Sequence, residues 1–206
     1  MKKLIAIAVV AGFLVPAIAG AEANGITGKG IKLGLNYTNA TGSDVKDAKA
    51  VLGIAAGGFL TYSINDMWAI QPELLYSQKG YKYEFDFLGT TVASSIATTY
   101  LDIPILVRLN IPTEGTMKPN IVLGPSVGIL MSAKAKASVA GITVATTDVK
   151  KDSASTDIGM VVGAGIESGT MSYDLRYQMG LSALDKDGKA KAYNSVISLL
   201  IGWSFK

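Results

Sequence analysis

Few residues in this sequence are equipped for chemistry, and most of them are charged side chains set inside apolar runs. They are Lys32, Glu73, Asp102, Arg108, Asp157, Glu167, Asp174 and Arg176, five acids against three bases, with Lys79 as a possible further base. Charges removed from water persist only when paired or hydrogen-bonded. Two readings follow. The eight form an ion-pair and hydrogen-bond network that fills an interior and holds it in register, or they line a path for ions. Catalysis finds less support. The chain has no His and no Cys, so the side chain best poised for proton transfer near neutral pH is missing, as are Cys/His metal sites and disulfides. Ser94, Ser95 and Asp102 offer a nucleophile pair and an acid without a base. We expect no enzyme, no cofactor and no metal.

The rest of the composition asks where such charges sit. Of 206 residues 49% are hydrophobic and only 17% charged, against about 25% charged in an ordinary globular chain. That balance fits a membrane protein or an unusually large core. A net charge of +3 is too small to point to nucleic acid. At the start, Lys2 and Lys3 precede the apolar run LIAIAVVAGFLVPAIAG, and small residues at Ala19, Ala21 and Ala23 offer cleavage sites. Residues 1–23 therefore read as a secretory signal peptide, and residues 24–206 as one domain.

Beyond that segment no apolar run reaches the ~18 residues of a spanning helix. Apolar residues instead recur at every second position, the strand period. Ile31, Leu33, Leu35 and Tyr37 alternate with Lys32, Gly34, Asn36 and Thr38. Seven further pieces follow, at roughly 52–64, 67–83, 98–110, 118–132, 156–167, 171–181 and 193–205. In MSYDLRYQMGL, Tyr173, Leu175 and Tyr177 take one face while Asp174 and Arg176 take the other. Short turns at 65–66 and 168–170 alternate with longer connections at roughly 40–50, 81–97, 133–156 and 185–191. Eight such pieces predict an all-β fold, an eight-stranded antiparallel up-and-down transmembrane β-barrel, with both termini on the short-turn side.

A soluble barrel around a lipid would alternate too, with its greasy face inward. Two features favour the membrane. The polar parity is rich in Gly, Ala, Ser and Asn, which suits a crowded interior. The greasy parity carries aromatics near strand ends, as in interfacial girdles: Tyr62, Trp68, Tyr173, Trp203 and Phe205 toward the short turns, Tyr37, Tyr76 and Tyr193 toward the long connections.

Five blocks carry a family resemblance: GIKLGLN (30–36), IQPELLYSQKGYKY (70–83), YLDIPILVRLN (100–110), KPNIVLGPSVGILM (118–131) and YDLRYQMGL (173–181). With them the chain resembles the PorT-like outer-membrane β-barrel proteins, within the broader class of small OmpA- and OmpX-like barrels. Asp102 departs from the Glu more usual at its place. The resemblance implies the outer membrane of a Gram-negative bacterium and insertion by its assembly machinery. That machinery commonly reads a final aromatic; Phe205 fits, although Lys206 follows it. Family roles vary, some tied to secretion or surface attachment. We therefore expect a non-enzymatic barrel in contact with outer-membrane lipid and lipopolysaccharide, with loops 84–97 and 133–156 as candidate contact sites for a surface or secretion partner. Lys134, Lys136, Lys150 and Lys151 are candidates for lipopolysaccharide phosphates. A narrow pore for ions or small solutes is the main alternative.

Overall fold

The computed structural model describes residues 25–205; the expected signal peptide lies outside the described residues. Period-two alternation becomes nine antiparallel strands: β1 (Gly25–Thr41), β2 (Lys49–Ser63), β3 (Trp68–Phe87), β4 (Thr90–Asn110), β5 (Met117–Val139), β6 (Ile142–Asp148), β7 (Thr156–Ser168), β8 (Met171–Gly180) and β9 (Tyr193–Phe205). Eight of them close a ring in the order β1-β2-β3-β4-β5-β7-β8-β9, with β9 pairing back onto β1 from Lys29↔Phe205 to Thr41↔Tyr193. A closed ring leaves no strand edge within it unpaired, which lets backbone groups be satisfied in hydrocarbon.

The alternation is inverted relative to a water-soluble protein. Leu33 and Leu35 are 63% and 54% exposed, whereas Lys32 and Asn36 between and beside them are 4% and 1% exposed. The greasy parity faces outward on every strand of the ring, so a lipid-binding barrel with an apolar interior is excluded. The interior does hold one apolar layer near the short turns, Leu106, Val122 and Val161.

One expectation is corrected at the other end. Residues 81–97 and 133–156 read as long loops, with only the alternating piece Val139 to Ala145 expected to extend strands above the membrane, but most of each is regular sheet. β3 and β4 pair without interruption up to Phe87↔Thr90, and β5 turns at Ala140-Gly141 into β6, a ninth strand. Both tips are two-residue turns with both residues left-handed: Leu88 and Gly89 at φ 48° and 78°, Ala140 and Gly141 at φ 50° and 79°. Such turns match the twist of a hairpin and favour Asn-Gly or Gly-Gly, so Leu and Ala at the first position hide them in the sequence. Because a tilted strand crosses hydrocarbon in about 9–11 residues, β8 with 10 is only long enough to cross. β3, β4 and β5 run to 20, 21 and 23 residues. Their surplus, joined by β6, stands beyond the ring as a projecting sheet. A register shift, Thr99↔Ser132 followed by Tyr100↔Leu130, marks the place where it leaves the ring; bulges concentrate at barrel rims.

Candidate functional site: the barrel interior and the projecting hairpins

Inward-facing charges come from strands on opposite sides of the ring and meet in three groups. Near the short turns, Arg108 on β4 pairs with Glu167 on β7. Its Nε donates to Asn110 Oδ1 at 2.7 Å and its Nη1 to Gln71 Oε1 at 3.3 Å. Gln71 in turn donates from Nε2 to Glu73 Oε1 at 2.6 Å, which links this group to the next.

The middle group is the densest. Arg176 on β8 grips Glu73 on β3 with two donors, Nη1 to Oε2 at 2.6 Å and Nη2 to Oε1 at 2.9 Å. Lys32 on β1 reaches Glu73 Oε1 at 2.9 Å and Asp174 Oδ2 at 2.7 Å. Arg176 Nη2 also meets Asp174 Oδ2 at 3.3 Å, and Lys32 Nζ lies 5.0 Å from the centre of the Phe59 ring. The fork of a guanidinium matched to a carboxylate is among the stronger pairings available to side chains. All four charged groups are buried.

Toward the hairpins, Lys79 on β3 sits between Asp102 on β4 at 3.0 Å and Asp157 on β7 at 3.1 Å. Asn194 on β9 donates to Asp157 Oδ2 at 2.8 Å, and the Tyr100 ring lies 4.9 Å from Lys79 Nζ. Above it, small apolar clusters of Ala40, Val45 and Ala192, and of Tyr100, Leu130 and Ala133, pack at the hairpin end.

The eight charged residues of the sequence reading thus all point inward, but not to one place: Arg108 and Glu167, then Lys32, Glu73, Asp174 and Arg176, then Asp102 and Asp157. Lys79, offered only as a possible addition, is the hub of the third group. The period-two spacing from Glu73 through Lys79 already put it on the inner face. Gln71, Asn36 and Asn194 are polar members the sequence reading did not single out. Inner glycines make room for the charges: a Cβ on Gly128 would press on Asp102, one on Gly165 on Asp174, and one on Gly202 on Ser172.

On the outer face Tyr37, Tyr62, Trp68, Tyr76, Tyr173, Trp203 and Phe205 are exposed, while Tyr193 is half-buried. Tyr177, paired with Ile197, stands level with Tyr37, which pairs with the same residue from the other side. Ser94 and Ser95 lie in the projecting sheet opposite Tyr83 and Lys82, seven or more positions along β4 from buried Asp102. The structure separates them. Among the described residues, no group of three or more acids gathers in a way that could hold a metal ion.

The projecting sheet is held differently. Its tips carry exposed apolar residues, Phe85, Leu88, Ile142 and Val144. Its charges are at the surface, with Glu84 taking Lys82 at 2.7 Å and Lys49 at 3.0 Å. Those two lysines hold the Glu84 carboxyl below its ordinary pKa, chiefly through the Lys82 hydrogen bond.

A closed ring, greasy outside and ion-paired inside, defines a transmembrane β-barrel. A family model described as "Outer membrane protein beta-barrel domain" matches residues 28–186, and the chain belongs to that family. No curated protein sequence matches it. Among solved structures, Neisserial surface protein A aligns at 15% identity over 88% of this chain and 99% of its own, with a TM-score of 0.47. Ail, the attachment invasion locus protein of Yersinia pestis, aligns at 15% over 86% and 98%, with a TM-score of 0.44. The N-terminal β-barrel domain of Pseudomonas aeruginosa OprF aligns at 13% over 84% and 97%, with a TM-score of 0.35.

Proposed function

We propose that this protein is a non-enzymatic integral barrel of a Gram-negative outer membrane, of the PorT-like kind, whose interior is a structural plug and whose projecting hairpins make its contacts. The observation that carries this reading is the use of the interior charges. Lys32, Lys79, Arg108 and Arg176 are each spent on an acid of another strand, leaving no base free for a solute among them. An eight-stranded barrel is just wide enough for side chains to fill. Exposed apolar residues gathered on a tip mark contact surfaces, and Phe85, Leu88, Ile142 and Val144 are gathered on the two hairpins.

The short turns face the periplasm in this reading, and the hairpins face outward, serving structural, adhesion or secretion-associated contact. Lys134, Lys136, Lys150 and Lys151 lie at the base of the β5–β6 hairpin or beyond it, within reach of lipopolysaccharide phosphates. Insertion is by the outer-membrane assembly machinery, reading β9 and its Phe205.

Planar-bilayer recording of the purified protein tests the plug. We expect no stable, large channels; their appearance would replace the plug with a pore. Deleting 138–150, which removes the β5–β6 tip and leaves the ring intact, tests display. Loss of surface binding with unchanged heat-modifiable gel mobility is the expected outcome, and unchanged binding removes this hairpin from the reading.

A further inference from the structure

Between the middle and upper charge groups lies a small cavity of about 30 Å³, bounded by Ser126, Arg176, Gln178 and Asp102 together with Asn36 and Ser198. Three of these lining residues each carry a buried polar atom with no partner in the protein: Ser126 Oγ, Arg176 Nε and Gln178 Nε2. Their residues are 1%, 5% and 8% exposed. Two are obligate donors and the third a hydroxyl, and donors left unmade away from water are costly. Three of them around one space point to an occupant.

The chemistry of the wall selects it. A cation would meet the Arg176 guanidinium and two N–H donors. A halide would suit those donors but would face Asp102, in a group that already holds two acids to one base. Water accepts from Arg176 Nε–H and Gln178 Nε2–H, exchanges a hydrogen bond with Ser126, and donates to Asp102. A water needs roughly 10–15 Å³ of such space and two to four polar partners.

We infer that this cavity is a built water site holding one or two molecules that join the middle and upper groups. The polar interior is otherwise linked from Arg108 through Gln71 to Glu73, Arg176 and Lys32, and again from Asp102 through Lys79 and Asp157 to Asn194. The water bridges the gap, giving one hydrogen-bonded column through the barrel and supplying the acid-rich upper group with a further donor. This inference extends the plug reading. It does not depend on conductance or on what the hairpins bind, so either can fail without the other.

Nuclear magnetic resonance of the intact barrel in detergent micelles tests it. Cross-peaks from long-lived water to Arg176 Nε–H and Gln178 Nε2–H are expected, and their loss in Ser126→Val, which fills the space with methyl groups. Absent cross-peaks, or cross-peaks that survive the filling, overturn the inference. So does a shift of these two resonances when chloride is exchanged for bromide, which would make the occupant a halide. Ser126→Ala and Gln178→Ala, singly and together, give an independent measure in chemical unfolding. A shared water predicts that the double variant shifts the midpoint by clearly less than the two single shifts combined; additive shifts overturn it. Heat-modifiable mobility verifies folding, and the alanine series stands if Ser126→Val fails to fold.

Discussion

The middle and upper charge groups both set a lysine against two carboxylates in the same interior, yet they differ in their count. In the middle, two bases meet two acids, and Arg176 and Glu73 match fork to fork. Above, Lys79 alone serves Asp102 and Asp157, and Asp157 Oδ1 has no donor in the protein. Removing charges from water is costly unless each is compensated. The middle group balances its charges within itself, although Arg176 Nε has no partner in the protein. The upper one leans on Asn194, on the Tyr100 ring and on its neighbours. One is balanced in charge, the other is short of a base, and substitutions should separate them.

Arg176→Ala should do the most damage. It strips Glu73 of two donors and leaves a buried carboxylate with Lys32 and Gln71, at a cost of about 3–5 kcal/mol by the usual penalty for breaking a buried pair. Chemical unfolding of the barrel in lipid or detergent reads it, and an unmoved midpoint would show that the group is not structural. Lys79→Met should rank next, since it leaves two acids facing each other. Adding Asp157→Asn in that background should recover part of the loss. Asp157→Asn alone is the sharpest divider: in the upper group it removes an excess charge and should cost less than about 1 kcal/mol, whereas Glu73→Gln in the middle should approach the Arg176 figure. Equal costs would erase the distinction drawn here.

The smallest effect is expected on the projecting sheet, where exposed ion pairs contribute little. Glu84→Gln should leave the unfolding midpoint of the ring in place. The Glu84 carboxyl is held below its ordinary value of 4.5. Its pairing therefore steadies the hairpin above that value and is lost as pH falls through the lower folded one. Hydrogen exchange at the β3–β4 tip should rise in acid, while exchange in the ring does not.

How far the sequence carried the reading follows from what period two can encode. It gives the face of each residue, so the inward set, the outward aromatics and the eight ring strands were legible. It does not give the height at which a residue sits in a tilted barrel. Glu73, Asp102 and Arg108 share the inner parity with Arg176 and read equally as its partners; in the structure Glu73 is the partner, while Asp102 and Arg108 belong to the groups above and below. The hairpins were legible only in part, through the alternating piece Val139 to Ala145, and for a different reason. Their tips place Leu88 and Ala140 in a conformation usually left to Gly or Asn, so the turn signal rests on Gly89 and Gly141 alone. The cavity beside Ser126 was hidden as well, because an unfilled space is a property of packing and not of any residue.

The seam between β1 and β9 has a kinetic consequence. Asn36 and Ser198 touch across it although 162 positions separate them in the chain. Contacts between residues so distant are slow to form, because the loop entropy is spent before they reward it. Hairpins such as β3–β4 can form early and locally; the ring cannot shut until the last strand is made. Until then β1 presents a bare edge, the kind of surface that invites pairing with another chain. Folding of this barrel is accordingly timed by its final thirteen-residue strand, and a chain stalled before it would be more dangerous to its neighbours than one never begun.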